Sequence, residues 1–473
     1  MTAAESAPEA PAPNGRVAQL RHATLSQVES LGQSIANIAP TLMPAISMTV
    51  VVHLAGPGAW LAYLVATVGM LFVAANIGEL ARRHAQSGSY FIYIGRNFGP
   101  FAGAMAGWSM ISAYLFTAVS VSLSCAIFLG AVLKSLGLGA LTPPAWAPVT
   151  VTVLLVWFAG YRDIRLSSRL TLVLEGIAIV VILLITAVVV VRHGGVIDPG
   201  QLDLGRQPLG GVMSGLPFAV FSFVGFESAA TLSKETRDPH IAVPRAIMFS
   251  AAGVGVFFVV MTYLMILGMG GDTAALAASS APFADLTARV GLGWVAGIVY
   301  GSALISGFAC TLASVNAASR LLFSMGRYSV LQGRLGEIHD HHRTPHVAVT
   351  LCCGLTLLAC LAMLPLGALT AFGLAGTFAT LGFLVVYLLV CIAAPIDLRR
   401  TGGLLPRQAA IAVIGALLVG FVILGSVYPV PDPPSNLVPL AFGLYMAVGA
   451  AWFGAMKLRR PGALAALEHD LEM

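Results

Sequence analysis

Long apolar stretches alternate along this chain with short polar ones, and most of the apolar stretches are too long to be strands or ordinary core helices. Twelve candidates, with loose edges, cover 30–53, 58–79, 100–133, 146–160, 169–191, 210–233, 245–269, 292–320, 346–366, 370–395, 408–428 and 436–457. A hydrocarbon core about 30 Å thick needs roughly 20 apolar helical residues per crossing. The pattern therefore predicts an all-α integral membrane protein with 12 transmembrane helices. Because the apolar runs are continuous rather than alternating, an outer-membrane barrel is excluded. The third and eighth stretches exceed one crossing, which predicts tilt or extension beyond the hydrocarbon.

Composition agrees: 58% of the 473 residues are hydrophobic and 10% charged, against about 25% charged in soluble domains. The formal charge of +5 comes from scattered basic residues with no long run, so no nucleic acid partner is expected. Their placement carries the information. With the N-terminus in the cytoplasm, only Lys134, Arg192, Arg206 and Arg289 face outside, leaving 21 of the 25 Lys and Arg inside. The positive-inside rule favours that arrangement. It predicts a multi-pass protein of the cell inner membrane with both termini cytoplasmic. The start MTAAESAPEAPAPNG is acidic, rich in Ala and Pro, and lacks the basic start of a signal peptide, so residues 1–24 predict a disordered tail. Residues 458–473 predict a second tail, in which ALAALEHDLEM is compatible with a short surface helix.

Two stretches are interrupted. In the first, Pro40 and Pro44 lie one turn apart in SLGQSIANIAPTLMPAISM, and neither can donate to a helix. The alternatives are a simple kink or a break near 36–41, whose second half would aim the N–H groups of Thr41, Leu42 and Met43 at an anion. In the sixth, Pro217 and Gly225 flank Phe221-Ser222-Phe223-Val224, and Glu227 follows near mid-membrane. A charge there costs on the order of 3 kcal/mol and needs a partner or a wet cavity. Glu227 either caps the second half-helix through its dipole or binds a ligand or proton. Two interrupted spans five apart mark an inverted-repeat transporter with a midplane site. The repeats would cover about 30–191 and 210–395 within a transport core of 25–395, with helices 11 and 12 in 396–457.

The segment FSFVGFESAATLSKETRDPHIAVPRAI, with Asp238, Pro239, Pro244, Arg245, Ala246 and Ile247 in its loop, resembles the amino acid–polyamine–organocation permeases. NAASRLLFSMGR (Asn316 to Arg327), Thr344-Pro345, and Gly88 with Tyr90 in QSGSY are similar to other parts of that family. The resemblance implies a leucine-transporter-type fold, with substrate held between broken helices 1 and 6. An amino acid carboxylate would meet the backbone at Ala39, Thr41 and Leu42. Its ammonium would meet carbonyls of Phe221, Ser222 and Val224 beside Gly225, and Phe221 would close over it. The chain departs from the family in its Ala-Asn-Ile-Ala-Pro-Thr break, where Asn37 and Thr41 add side-chain donors. Some relatives use a lysine in the fifth span, where an ungapped match places Ala178; Glu175 is the ionisable residue inside this span.

Glu175, Glu227 and Asn37 are thus the candidates for coupling or gating, Glu175 either carrying a proton, pairing with the first helix, or sitting as a satisfied polar residue in a helix interface. Ser302 and Ser306, a turn apart, either line the site or bond between helices. His339, Asp340, His341, His342 and His346 read as a solvated loop rather than a metal cluster, and Glu79 is expected to meet basic residues. All six cysteines lie in apolar stretches, so no loop disulfide framework is encoded. There is no phosphate-binding loop for ATP-driven transport, no cofactor or metal is expected, and no enzyme motif lies at membrane depth. The reading is a secondary transporter of amino acids or related amines working by alternating access, with a proton preferred as coupling ion. A polyamine or small-amine carrier, an exchanger, and a channel or nutrient sensor remain as alternatives.

Overall fold

The computed structural model describes residues 24–84, 89–162, 164–207, 209–279, 281–328, 330–428 and 430–459. Gly88, Arg16, Arg21, Arg460 and most of the two predicted tails lie outside these residues. The first apolar stretch is divided into α1 (Gln27–Ile38), α2 (Leu42–Ile46) and α3 (Met48–Ala55). A tight turn at 56–58 leads into α4 (Ala59–Arg83), and α5 (Ser89–Phe98) precedes the long α6 (Pro100–Ser135). Then follow α7 (Trp146–Arg162), α8 (Ile164–His193) and the short α9 (Pro199–Leu202). The sixth stretch is α10 (Leu209–Phe221), a run of turns, and a 3-10 segment, Ser228–Glu235. Beyond it come α11 (Pro239–Gly268), the short α12 (Thr273–Ala278) and α13 (Pro282–Arg289), and α14 (Ala296–Arg327). The chain continues through α15 (His346–Met363), α16 (Ala368–Arg400), α17 (Pro406–Val427) and α18 (Leu437–Arg459).

Among the described residues, 9 helical segments are long and apolar enough to cross a membrane, one of them running from Met48 to Arg83 through the turn. The predicted first, fourth and sixth stretches fall short as single helices. The first and sixth are interrupted, and α7 has 17 residues.

Apolar side chains face outward where lipid would lie. On α8, Val173, Ile177, Val180, Leu184, Val188 and Val191 are exposed, while Thr171, Glu175, Ala178, Ile182, Thr186 and Val189 are buried. Steps of three and four residues make each set one helix face. The polar groups thus point into the protein, the reverse of a soluble helix. Inside, α6 packs between α14 and α16, α4 lies against α11, α3 against α10, and α7 against α15.

One end of the bundle is tied by its polar residues. The amides of Thr24 and Leu25 both donate to the Glu235 carbonyl at 2.8 Å, and Arg237 N–H returns to the Leu25 carbonyl at 2.8 Å. Ser26 and Glu29 form a reciprocal cap at the start of α1, and Arg169 Nε donates to Glu29 at 2.6 Å. Burial works against ionised Glu29, yet the Ser26 amide and the Arg169 guanidinium outweigh it and hold this carboxyl below its ordinary pKa. Arg83 Nε bonds Glu79 at 3.3 Å, as expected for Glu79, and Asp397 takes His84 at 3.0 Å.

Candidate functional site

At the first interruption the chain turns through Ala39 in the left-handed region, φ 54°. Such a conformation costs about 1–2 kcal/mol for a residue with a Cβ. Pro40 cannot supply a donor to continue α1, so the helix stops at Ile38 and restarts at Leu42. The expected row of free amides is not all there. Leu42 and Met43 N–H both donate to the Ala39 carbonyl, at 3.1 and 3.3 Å, because the left-handed turn swings that carbonyl over the next turn. Thr41 faces the carboxyl group of Glu175 on α8. Ser306 of α14 donates to Glu175 Oε1 at 2.9 Å, while Glu175 Oε2 and the Thr41 hydroxyl close no hydrogen bond. The group facing the break is therefore the protein's own acid.

At the second interruption α10 ends at Phe221, and Gly225 adopts φ 101°. A Cβ there would lie 2.4 Å from Asn37 Nδ2 and 2.7 Å from the Asn37 carbonyl oxygen. Only glycine allows both the backbone turn and this approach. Asn37 is in turn held from α14, with Ser314 Oγ donating to its Oδ1 at 2.6 Å and Cys310 Sγ to its carbonyl at 3.2 Å. The two breaks are one joint.

Glu227 is fully buried beside that joint. Its carboxylate accepts hydrogen bonds from Tyr114 of α6 at 2.8 Å, from Tyr387 of α16, and from the Gly225 amide at 3.2 Å. Tyr90 donates to its backbone carbonyl at 3.3 Å. The side chain makes no cap on Ser228–Glu235. Capping is thus replaced by a clamp of phenols, because the carboxylate folds back toward Gly225 instead of forward over the 3-10 turn.

Between the breaks lies a small cavity lined by Asn37, Ile38, Phe221, Val224, Cys310 and Phe372, among others. Its volume is about 10 Å³, room for roughly one water. Above it opens a second cavity of about 630 Å³, toward the 431–435 loop. Phe221 and Phe372 line both, so these two rings form the partition.

Of the other predicted residues, Ser222 turns away from the small cavity, its hydroxyl bonding Tyr63 at 3.1 Å. The Phe221 carbonyl already accepts from Val224 N–H at 3.3 Å. Ser306 reaches Glu175, whereas Ser302 bonds back to Val299 in its own helix at 2.7 Å. His339, His342 and His346 pack their rings around Tyr161, with centroids 5.4–6.0 Å away. Residues not singled out from the sequence include Tyr114, Tyr387, Cys310, Ser314, Phe372 and Gly376. The signal for the tyrosines was available, since an acid at membrane depth requires donors. The sequence alone does not say which helices bring them.

Comparison with known proteins gives the family. The family model described as amino acid permease matches residues 29–443. The branched-chain amino acid permease BcaP of Bacillus subtilis is 26% identical over 367 residues, covering 75% of this chain and 76% of its own. BcaP of Lactococcus lactis is 25% identical over 420 residues, 84% of this chain and 88% of its own. The low-affinity putrescine importer PlaP of Escherichia coli is 29% identical over 330 residues, 66% of this chain and 70% of its own. With breaks joined at Asn37 and Gly225 in a bundle of apolar helices, and a family match over most of its length, the chain belongs to the amino acid permeases of the amino acid–polyamine–organocation superfamily.

Proposed function

We propose that this permease moves a neutral, apolar amino acid across the cytoplasmic membrane by alternating access coupled to a proton. It would use 12 crossings, two inverted five-helix repeats, and cytoplasmic termini. Packing supports the repeat, since α3 meets α10, α4 meets α11, α6 meets α14 and α7 meets α15. Each pair joins counterparts five crossings apart. The observation that carries the reading is the small cavity at the joint of the breaks, beneath an open vestibule and closed by Phe221 and Phe372. Its lining holds no Asp, Glu, Lys or Arg among the described residues. Ile38, Met43, Val121 and the two phenylalanines suit an aliphatic side chain, while the second ammonium of a diamine would meet no carboxylate there. The relatives above divide between two branched-chain amino acid permeases and a putrescine importer, so the choice of an apolar amino acid rests on the lining.

The substrate ammonium then sits at the end of α10 near Ser222, Val224 and Gly225, where a helix C-terminus favours a cation. The carboxylate sits at the Ala39–Leu42 turn, with Thr41 as donor. Glu175 competes for that donor when ionised. A proton on Glu175 removes the competing charge, so proton and substrate enter the site together. Glu227, held by Tyr114 and Tyr387, positions the Gly225 turn.

The test is uptake by purified protein in liposomes under separately imposed pH and sodium gradients. Saturable leucine uptake driven by the pH gradient, competed by valine but not by putrescine, is the expected result. Glu175→Gln is expected to lose the pH drive while keeping counterflow exchange. Sodium-driven uptake, equal competition by putrescine, or an unchanged pH response in the variant would overturn the respective part.

A further inference from the structure

Where the ends of α4, α11, α16 and α17 meet, on the same end as the Glu79–Arg83 pair, lies a cavity of about 260 Å³. It falls just under the ~300–1,000 Å³ of ordinary small-molecule sites. Three arginines from three helices line it: Arg82 of α4, Arg245 of α11 and Arg407 of α17. All three are exposed, and none makes an ion pair or side-chain hydrogen bond among the described residues.

Arginines at cytoplasmic helix ends are expected of any inner-membrane protein, so their number alone says little. The contrast with their neighbours is informative. Arg83 bonds Glu79 and pairs with Asp397, Arg400 donates to the Arg96 and Asn97 carbonyls, Arg169 holds Glu29, and Arg320 holds Glu235. The acid of the cavity, Glu79, is already met by Arg83 at 3.3 Å. Unbalanced positive charge is thus gathered in one concave place. The wall beside it is apolar, with half-buried Met248, and Phe249 at 57% exposure on the outer side of α11. Guanidinium groups match phosphate oxygens in pairs, and an apolar wall opening outward matches an acyl ester. A free phosphate would use only the first of these.

We propose that this cavity binds the phosphodiester headgroup of an anionic phospholipid in the cytoplasmic leaflet, with Arg82, Arg245 and Arg407 as its ligands. The leaflet rests on the orientation given under Proposed function; the binding does not. The headgroup bridges α4, α11 and α17, and so fastens an element outside the repeats to one inside each.

The protein in neutral phosphatidylcholine nanodiscs provides the test, with bound lipid read by native mass spectrometry and heat stability read in parallel. Added phosphatidylglycerol is expected to give a retained lipid and a raised Tm. Arg82→Gln, Arg245→Gln and Arg407→Gln should each weaken retention about fivefold, the effect of removing one basic residue near an anionic headgroup. Arg334→Gln, a basic residue away from the cavity, should leave it unchanged. Equal retention in the wild type and the triple variant would overturn the site. Equal stabilisation by inorganic phosphate at the same concentration would overturn the lipid and leave a free-anion pocket. None of these readouts needs transport, so a failed uptake assay and a failed lipid site are separable results.

Discussion

Phe221 is held in place by an absence. A Cβ on Gly376 of α16 would come within 2.6 Å of the Phe221 ring tip, so the glycine provides the slot into which the partition closes. Phe221→Ala removes the ring and is expected to weaken substrate affinity roughly tenfold, about 1.4 kcal/mol, with normal membrane insertion. Gly376→Ala should force the ring out of its slot and alter the apparent KM without loss of folded protein. Concentration-dependent uptake alongside surface expression decides both, and unchanged affinity in Phe221→Ala would take the ring out of the site. The sequence singles out Glu175 and Glu227 because ionisable groups are expensive at membrane depth. Asn37, Thr41 and Gly225 stand out because they lie at breaks marked by Pro40 and Gly225, while Phe221 is singled out only by the family resemblance. Phe372, Gly376 and Cys310 were not legible. An apolar residue or a small one in an apolar helix looks the same whether it faces lipid, core or cavity.

At the scale of the helices, hydropathy marks the long elements with loose ends. The apolar window of the eighth stretch closes near 320, whereas α14 continues to Arg327, the end that the family resemblance of Asn316 to Arg327 implies. Its Arg320 is fully buried, its Nε 2.7 Å from Glu235, and it also donates to the Asn316 carbonyl at 3.2 Å. A charged residue ends an apolar window, but it need not end a helix when a partner waits inside the protein. The short α5 went unread because its ten residues are too few for a crossing. The Arg320–Glu235 pair joins α14 to the 3-10 end of the sixth stretch, and Glu235 also receives the Thr24 and Leu25 amides. Removing one member leaves a buried charge without compensation, an effect of about 3–5 kcal/mol. Arg320→Met alone is therefore expected to lower the unfolding temperature in detergent sharply, and Arg320→Met with Glu235→Leu to recover much of the loss. Single and double variants melting together at the wild-type temperature would show that the pair does not hold this end.

Orientation is a property of the whole molecule, and the native cysteines make it measurable. All six are free and buried, so a membrane-impermeant maleimide has little background to meet. Exposed Lys134 and Arg334 lie on opposite sides in the proposed topology. Lys134→Cys is expected to label in intact cells and Arg334→Cys only after permeabilisation; the reverse pattern would invert the protein. The amino acid permease fold is broadly readable from residue chemistry. The closure of one end and the opening of the other are not, because they depend on which of several packings the same helices adopt. The joint of Asn37 and Gly225 bears on that choice. Two hinges separated by a layer of side chains could flex independently and populate four combinations. Here a main-chain oxygen of one hinge lies 2.7 Å from where the Cβ of the other would be, so they share a single axle. Under the alternating-access reading proposed above, the cycle would then have one mechanical coordinate at its centre, with no place for a half-turned molecule open at one break and shut at the other.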